Sequence, residues 1–182
     1  ADMSKEYYLL AGLQEDYFAS TIDAVAYWNG AGFQSLEQVL KASGADNPLD
    51  DLRDARIRQT WESGLVVYLN QAEDDWTGIE AAGNTLTLPE DGWVAHNPGT
   101  GLLVFSAIPA ETAGQRIDYA QVADRYTLLD GRGEVVSYGG LSTPEGGLVV
   151  SNAVHDLVLT ELSAGGISAV VGTAPALERL DL

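Results

Sequence analysis

An acidic run formed by Glu73, Asp74 and Asp75 carries the side chains in this sequence that best suit a metal ion. A hard cation such as Ca²⁺ takes about six to eight oxygen ligands, and three carboxylates with nearby loop carbonyls could supply several of them. The spacing is not that of an EF-hand, and the alternative interpretation is a solvated turn before Trp76. The sequence therefore predicts calcium as a candidate ligand of this run.

Two tryptophans, Trp76 and Trp93, could act as stacking surfaces for a carbohydrate. The alternative is burial, because a tryptophan ring removes a large apolar area from water and is commonly found in the core of a small domain. We keep both interpretations and treat both tryptophans as candidate binding residues.

Catalytic chemistry has little support in the sequence. The two histidines are His96 and His155, and no Gly-x-Ser-x-Gly turn is present to expose the nucleophile of a triad. The adjacent carboxylates Asp50-Asp51 and Asp74-Asp75 cannot by themselves flank a scissile glycosidic bond, whose acid and base stand several ångströms apart. We therefore predict no catalytic residue, and no cofactor besides the candidate calcium ion.

The composition excludes several classes of function. Over 182 residues, 27 Asp and Glu stand against 9 Lys and Arg, which gives a formal net charge of −18. Such a chain repels phosphates, so we expect no binding to nucleic acid or to an anionic membrane through a basic face. The absence of cysteine removes disulfides, thiol nucleophiles and cysteine-ligated metals. The hydrophobic content of 46% still supports one soluble, folded domain over residues 1–182.

The first element expected to position these residues is a helix. Aromatic and aliphatic residues recur at intervals of three and four between Tyr7 and Trp28. This spacing predicts one amphipathic helix over residues 4–28, with Asn29-Gly30 as its stop. Gly12 weakens this helix by roughly 1 kcal/mol without breaking it.

The next segment, residues 33–84, is predicted to be a helical connecting region. Ser35 caps a short helix, and Gln38 occupies the capping-box position. Asn47-Pro48 opens a further helical stretch, since proline suits the first turn of a helix.

Residues 85–182 show short apolar or alternating runs separated by Gly, Pro, Asn and Asp, which is typical of an antiparallel sheet. Residues 130–133 (DGRG) are predicted to be the clearest hairpin turn, and residues 115–123 a helical interruption. The predicted fold class is therefore α+β, with a long N-terminal helix and short helices packed on an antiparallel sheet.

Two segments resemble a known family. Residues 27–40 (YWNGAGFQSLEQVL) are similar to the helix exit of type IV pilins and of the major pseudopilins of type II secretion. Residues 88–93 (LPEDGW), followed by residues 97–99 (NPG), are similar to the tryptophan turn and first strands of that family. The chain thus looks like a pilin soluble domain that lacks the apolar N-terminal half-helix.

The resemblance implies a structural subunit of a pilus or a pilus-like secretion filament, on the cell surface, outside the cell or in the periplasm. Its partners would be copies of itself or related filament subunits, with a surface protein or a glycan as a target in adhesion. Membrane contact would require an apolar segment upstream of Ala1. One alternative is another non-enzymatic module, either a virion component or a binder of carbohydrate or protein. A hydrolase that uses His155 or carboxylates is the third hypothesis.

Overall fold

The computed structural model describes residues 3–18, 20–42, 52, 54–145, 147–152, 156–162, 166–173 and 176–181. Within them the protein is mostly antiparallel β-sheet with two short α-helices, so the predicted α+β fold with a long N-terminal helix is wrong. The helices are α1 (Met3–Phe18) and α2 (Leu36–Ala42). The strands are β1 (Ile22–Trp28), β2 (Phe33–Ser35), β3 (Arg56–Trp61), β4 (Val66–Asn70), β5 (Trp76–Ala81), β6 (Asn84–Leu88), β7 (Gly92–Asn97), β8 (Leu102–Pro109), β9 (Ile117–Val122), β10 (Tyr126–Asp130), β11 (Ser137–Tyr138), β12 (Leu141–Ser142), β13 (Gly147–Asn152), β14 (Asp156–Leu162), β15 (Gly166–Thr173) and β16 (Ala176–Asp181).

The predicted helix over residues 4–28 is two elements, because α1 has 16 residues and β1 begins four residues after it ends. β-branched residues such as Ile22 and Val25 prefer an extended backbone, on which their side chains pack well against neighbouring strands. Their spacing of three, continued by Trp28, also fits a helix. Periodicity alone therefore assigned this segment to the wrong element.

Asn29-Gly30, predicted to stop a helix, forms the turn of the β1–β2 hairpin. Gly30 has a φ of 92°, which suits glycine. The N–H groups of Ala31 and Gly32 donate hydrogen bonds to Asn29 Oδ1, at 3.0 and 2.8 Å. Asn-Gly is also the strongest short-range signal for a β-hairpin, and here it forms a hairpin turn and not the end of a helix.

In the described part of residues 33–84, which were predicted to be a helical connection, the short helix α2 lies among strands, and Leu52 is also helical. The capping box of α2 is confirmed, because the Gln38 N–H donates to Ser35 Oγ while the Ser35 N–H donates to Gln38 Oε1. The helix predicted from Asn47-Pro48 starts outside the described residues, and β3 lies where its last turns were expected.

One sheet of 14 strands follows the order β16-β15-β14-β13-β10-β9-β8-β7-β4-β3-β1-β2, with β5 and β6 attached beside this path. Every pairing is antiparallel, and β6 joins the sheet through the end of β8, where Leu86 pairs with Pro109. Strands β11 and β12 pair only with each other. The hairpins β5–β6 and β11–β12 therefore fold over one side of the main sheet.

We call the side under these hairpins the hairpin face and the opposite side the helix face. Strand β8 is buried on both, so its apolar run is nearly continuous. The buried core of the hairpin face comprises Trp76, Ile79, Ala81, Leu86, Leu88, Val94, Leu103, Phe105, Ala107, Ile117, Tyr119, Leu129, Val136 and Tyr138. The buried core of the helix face comprises Leu65, Ala95, Leu102, Val104, Ala120, Val122, Leu128, Leu148 and Val150.

Helix α1 covers the buried core of the helix face with Tyr8, Leu9, Leu13 and Tyr17. Gly12 allows a close approach, because a Cβ atom at this position would lie 2.6 Å from a methyl group of Val122. The glycine is thus a packing requirement of the helix–sheet contact.

Two further predictions about the sheet are corrected. Residues 115–123 contain β9, because both sides of this segment are buried between β8 and β10. Residues 130–133 do form a turn, in which the Arg132 N–H donates to Asp130 Oδ1 at 2.7 Å. The flanking strands β10 and β11 do not pair, so this turn leads to a separate hairpin.

Candidate functional site

Four aromatic rings gather at one end of the hairpin face, and we call them the aromatic cluster: Trp28, Phe33, Tyr68 and Trp76. The Trp76 ring lies at the centre, with centroids 5.9 Å from Tyr68, 6.1 Å from Phe33 and 6.3 Å from Trp28. Trp76 is buried at 5% exposure, and the other three are half-buried. One buried ring therefore supports three rings that reach the surface.

Strand register brings these rings together from distant parts of the sequence. Trp28 of β1 stands directly opposite Phe33 of β2, and Arg58 of β3 stands directly opposite Tyr68 of β4. Strand β5 then folds over this face and places Trp76 against the rings of Trp28, Phe33 and Tyr68. Paired residues on one face of a sheet lie close enough for aromatic side chains to touch.

Arg58 adds a cation to the aromatic cluster. Its guanidinium carbon lies 4.1 Å from the centroid of the Phe33 ring, which is cation–π geometry. The Nε atom is buried without a hydrogen-bond partner. Of the guanidinium nitrogens only Nε is closed off in this way, so the terminal nitrogens remain accessible as donors.

The other lysines and arginines whose side chains the structure describes are engaged with oxygen atoms of the protein. Among these side chains, Arg58 therefore stands apart in having no oxygen partner. The engaged cations are Lys5 with Asp118 and Asp130, Lys41 with Glu37, Arg56 with Asn70 and two carbonyls, Arg116 with Ser106 and two carbonyls, Arg125 with Glu15, and Arg132 with Asp118.

His96 borders the aromatic cluster, with its ring nearly parallel to that of Tyr68 at a centroid distance of 6.4 Å. Burial lowers the pKa of His96, so the ring is neutral near neutral pH. Its Nδ1 atom is buried without a hydrogen-bond partner. Within the described residues no carboxylate orients His96, so it lacks the arrangement of a catalytic base. His155 lies outside the described residues.

The two tryptophans predicted as binding residues lie on opposite faces. Trp76 is the buried centre of the aromatic cluster, and the half-buried Trp93 lies on the helix face. There Trp93 borders an apolar groove of about 250 Å³ together with Leu10, Leu13 and Leu69. The two rings cannot form one stacking surface.

The acidic run lies in the exposed loop between β4 and β5. The carbonyl oxygens of Asp74 and Asp75 accept hydrogen bonds from Arg56, and Asn70 also donates to the Asp74 carbonyl. These carbonyls therefore already face a positive charge. The described residues contain no group of three potential metal-ligating side chains, and calcium binding by Glu73, Asp74 and Asp75 stays a prediction.

A second polar group lies under α1, on the helix face. Lys5 forms ion pairs with Asp118 and Asp130, and both carboxylates are almost fully buried. Burial alone would raise the pKa of Asp118, but hydrogen bonds from Lys5 and Ser106 and the charges of Lys5 and Arg132 lower it below its usual value. The carboxylates are occupied by cations of the protein, so this group anchors the helix to the sheet.

Three residues of the site were missed by the sequence analysis: Trp28, Phe33 and Tyr68. Trp28 was placed in a helix, and the other two in a helical connection. The Asn29-Gly30 pair between two aromatic residues was the available signal, because it predicts a hairpin that would place Trp28 beside Phe33.

Comparisons with protein families, curated proteins and solved structures found no match to this chain. The resemblance to pilins therefore stays a prediction. No helix among the described residues is both long and apolar enough to cross a membrane.

Proposed function

We propose that this protein is a non-enzymatic carbohydrate-binding module, and that the aromatic cluster with Arg58 is its binding surface. The observation that supports this proposal most is the combination of three half-buried aromatic rings with an arginine that has no oxygen partner in the described part of the chain. Ligand sites typically combine apolar and aromatic walls with a few well-placed polar groups.

A sugar ring offers the chemistry that complements this surface. Its C–H faces are apolar and pack against aromatic rings, while its hydroxyl groups need hydrogen-bond donors and acceptors around the rim. Trp28 and Tyr68 supply apolar ring surface with a polar atom at the edge. Arg58 lies on β3, between the strands of Trp28 and Tyr68, and supplies accessible hydrogen-bond donors.

The filament hypothesis depended on one continuous helix over residues 4–28. Since α1 ends at Phe18 and β1 follows, the rod that would stack with neighbouring subunits is absent from the described fold. Self-association stays a prediction, but the geometry favours a binding module.

Replacing Trp28 with alanine is expected to weaken saccharide binding strongly. Removal of a tryptophan that anchors an interface raises the dissociation constant by about 30-fold, equivalent to about 2 kcal/mol. Affinity gel electrophoresis with neutral and acidic polysaccharides, followed by titration calorimetry with oligosaccharides of any that retard the protein, measures this change.

Trp93→Ala is the matched control, because Trp93 is also half-buried but lies on the helix face. We expect this variant to bind like the wild type. A protein that binds no saccharide, or one whose binding is lost in Trp93→Ala and retained in Trp28→Ala, would contradict the proposal. Circular dichroism melting confirms that both variants are folded.

A further inference from the structure

We infer that the saccharide bound at the aromatic cluster is acidic, and that Arg58 binds its carboxylate; this inference rests on the proposed function. The chain has 27 acidic residues and only 9 Lys and Arg, so an arginine without an acidic partner among the described residues is unexpected. The other cations whose side chains the structure describes are all paired with carboxylates, side-chain amides, hydroxyls or carbonyls.

Among the described residues, the neighbours of Arg58 on the adjacent strands and beneath its guanidinium are aromatic or apolar, and none is a carboxylate. Across the sheet it faces Ala26 on one side and Tyr68 on the other, and its guanidinium lies on Phe33. A cation in such surroundings loses part of its hydration without gaining an oxygen partner. A bound carboxylate would supply the missing oxygens through charge-assisted hydrogen bonds.

The geometry favours a carboxylate over a hydroxyl group. The planar guanidinium is held against the Phe33 ring, which limits its rotation and fixes the direction of its accessible nitrogens. Arginine binds carboxylates in a bidentate manner with two parallel N–H···O bonds, which a single hydroxyl cannot match. A uronic acid provides a carboxylate on a ring that can stack on Trp28 or Tyr68.

The net charge of −18 opposes an acidic ligand only at long range. At physiological ionic strength the Debye length is about 8 Å, so the repulsion from distant carboxylates is largely screened. A contact pair at a half-buried arginine is screened much less. Arg58 therefore determines the preference for an acidic saccharide.

The test compares uronic acid oligosaccharides with the same oligosaccharides after methyl esterification, which removes the charge and keeps the sugar. Titration calorimetry is carried out with the full chain. The wild type is expected to bind the acidic form about tenfold to a hundredfold more tightly than its ester. Arg58→Gln is expected to remove this preference, and Arg58→Lys to retain only part of it because lysine cannot bind in a bidentate manner.

Arg125→Gln is the charge-matched control, because Arg125 is exposed and pairs with Glu15 on the other side of the molecule. It is expected to keep the full preference. Equal binding of acid and ester by the wild type would overturn this inference while leaving the proposed function standing, and so would an equal loss for both ligands in Arg58→Gln. Binding of no saccharide in either form would overturn both.

Discussion

Replacing Lys5 with methionine is expected to lower the free energy of unfolding by about 3 kcal/mol. The substitution keeps most of the length of the side chain but leaves Asp118 and Asp130 without their lysine partner, at 3% and 8% exposure. Breaking a buried ion pair by removing one partner typically costs about 3–5 kcal/mol, and the partial exposure of Lys5 places this case at the lower end. Urea unfolding followed by tryptophan fluorescence measures the change.

Lys41→Met provides the control for this experiment. Lys41 pairs with Glu37 on α2, and both side chains are about three-quarters exposed, at 74% and 76%. Such surface pairs contribute little, so we expect no measurable change. An equal, small effect in both variants would show that the Lys5 pairs do not anchor α1.

The contribution of Lys5 should also depend on pH at both extremes. Burial lowers the pKa of Lys5, but the hydrogen bonds and charges of Asp118 and Asp130 outweigh burial and raise it above its usual 10.5. Its stabilisation is therefore complete below pH 10.5 and is lost as the pH rises through the higher folded value. The pKa of Asp118 is lowered from 3.8, so its stabilisation is complete above pH 3.8 and is lost as the pH falls through the lower folded value.

The difference between wild type and Lys5→Met should thus be largest between these limits and shrink beyond them. Urea titrations across the pH range measure it. A difference that does not shrink at either extreme would contradict the assignment to these groups.

Replacing Trp76 with alanine is expected to destabilise the protein by about 3–5 kcal/mol. The ring is buried at the centre of the aromatic cluster, and its removal leaves a cavity beneath Phe33, Tyr68 and Trp28. Trp76→Phe retains part of the volume and should lose clearly less. Thermal and urea unfolding of both variants measure these changes.

Trp93→Ala again serves for comparison, because it removes the same side chain from a half-buried position. Its loss of stability should be smaller than that of Trp76→Ala. If Trp76→Ala were as stable as the wild type, Trp76 would not support the aromatic cluster. That result would favour the interpretation of Trp76 as an exposed stacking residue.

The sequence predicted local features better than the arrangement of elements. The capping box between Ser35 and Gln38 depends on residues three apart, and it was recognised correctly. The apolar spacing of the segment Ile22–Trp28 fits both the helical period and the strand period, and the segment was assigned to a helix. Only its pairing with β3 decides in favour of a strand. Tertiary contacts thus override a local pattern.

The candidate site could not be predicted from the sequence for a related reason. Trp28 and Trp76 are 48 positions apart, and their rings meet only because β5 folds back over the hairpin face. The sequence indicated Trp76 as a candidate for binding or for burial, but not that it would lie beneath other rings. That Arg58 has no oxygen partner among the described residues depends on the fold around it, which no sequence motif records.

Binding of a saccharide by the aromatic cluster is tested most directly by the indole N–H signals of the four tryptophans. Trp28 and Trp76 belong to the hairpin face, while Trp61 and Trp93 pack on the helix face, so each face carries two reporters.

Titration of the isotope-labelled protein with an oligosaccharide, followed by proton–nitrogen correlation spectra, is expected to shift the Trp28 and Trp76 signals and to leave the Trp61 and Trp93 signals in place. Shifts confined to Trp61 and Trp93, or no shift with any saccharide, would contradict saccharide binding at the aromatic cluster.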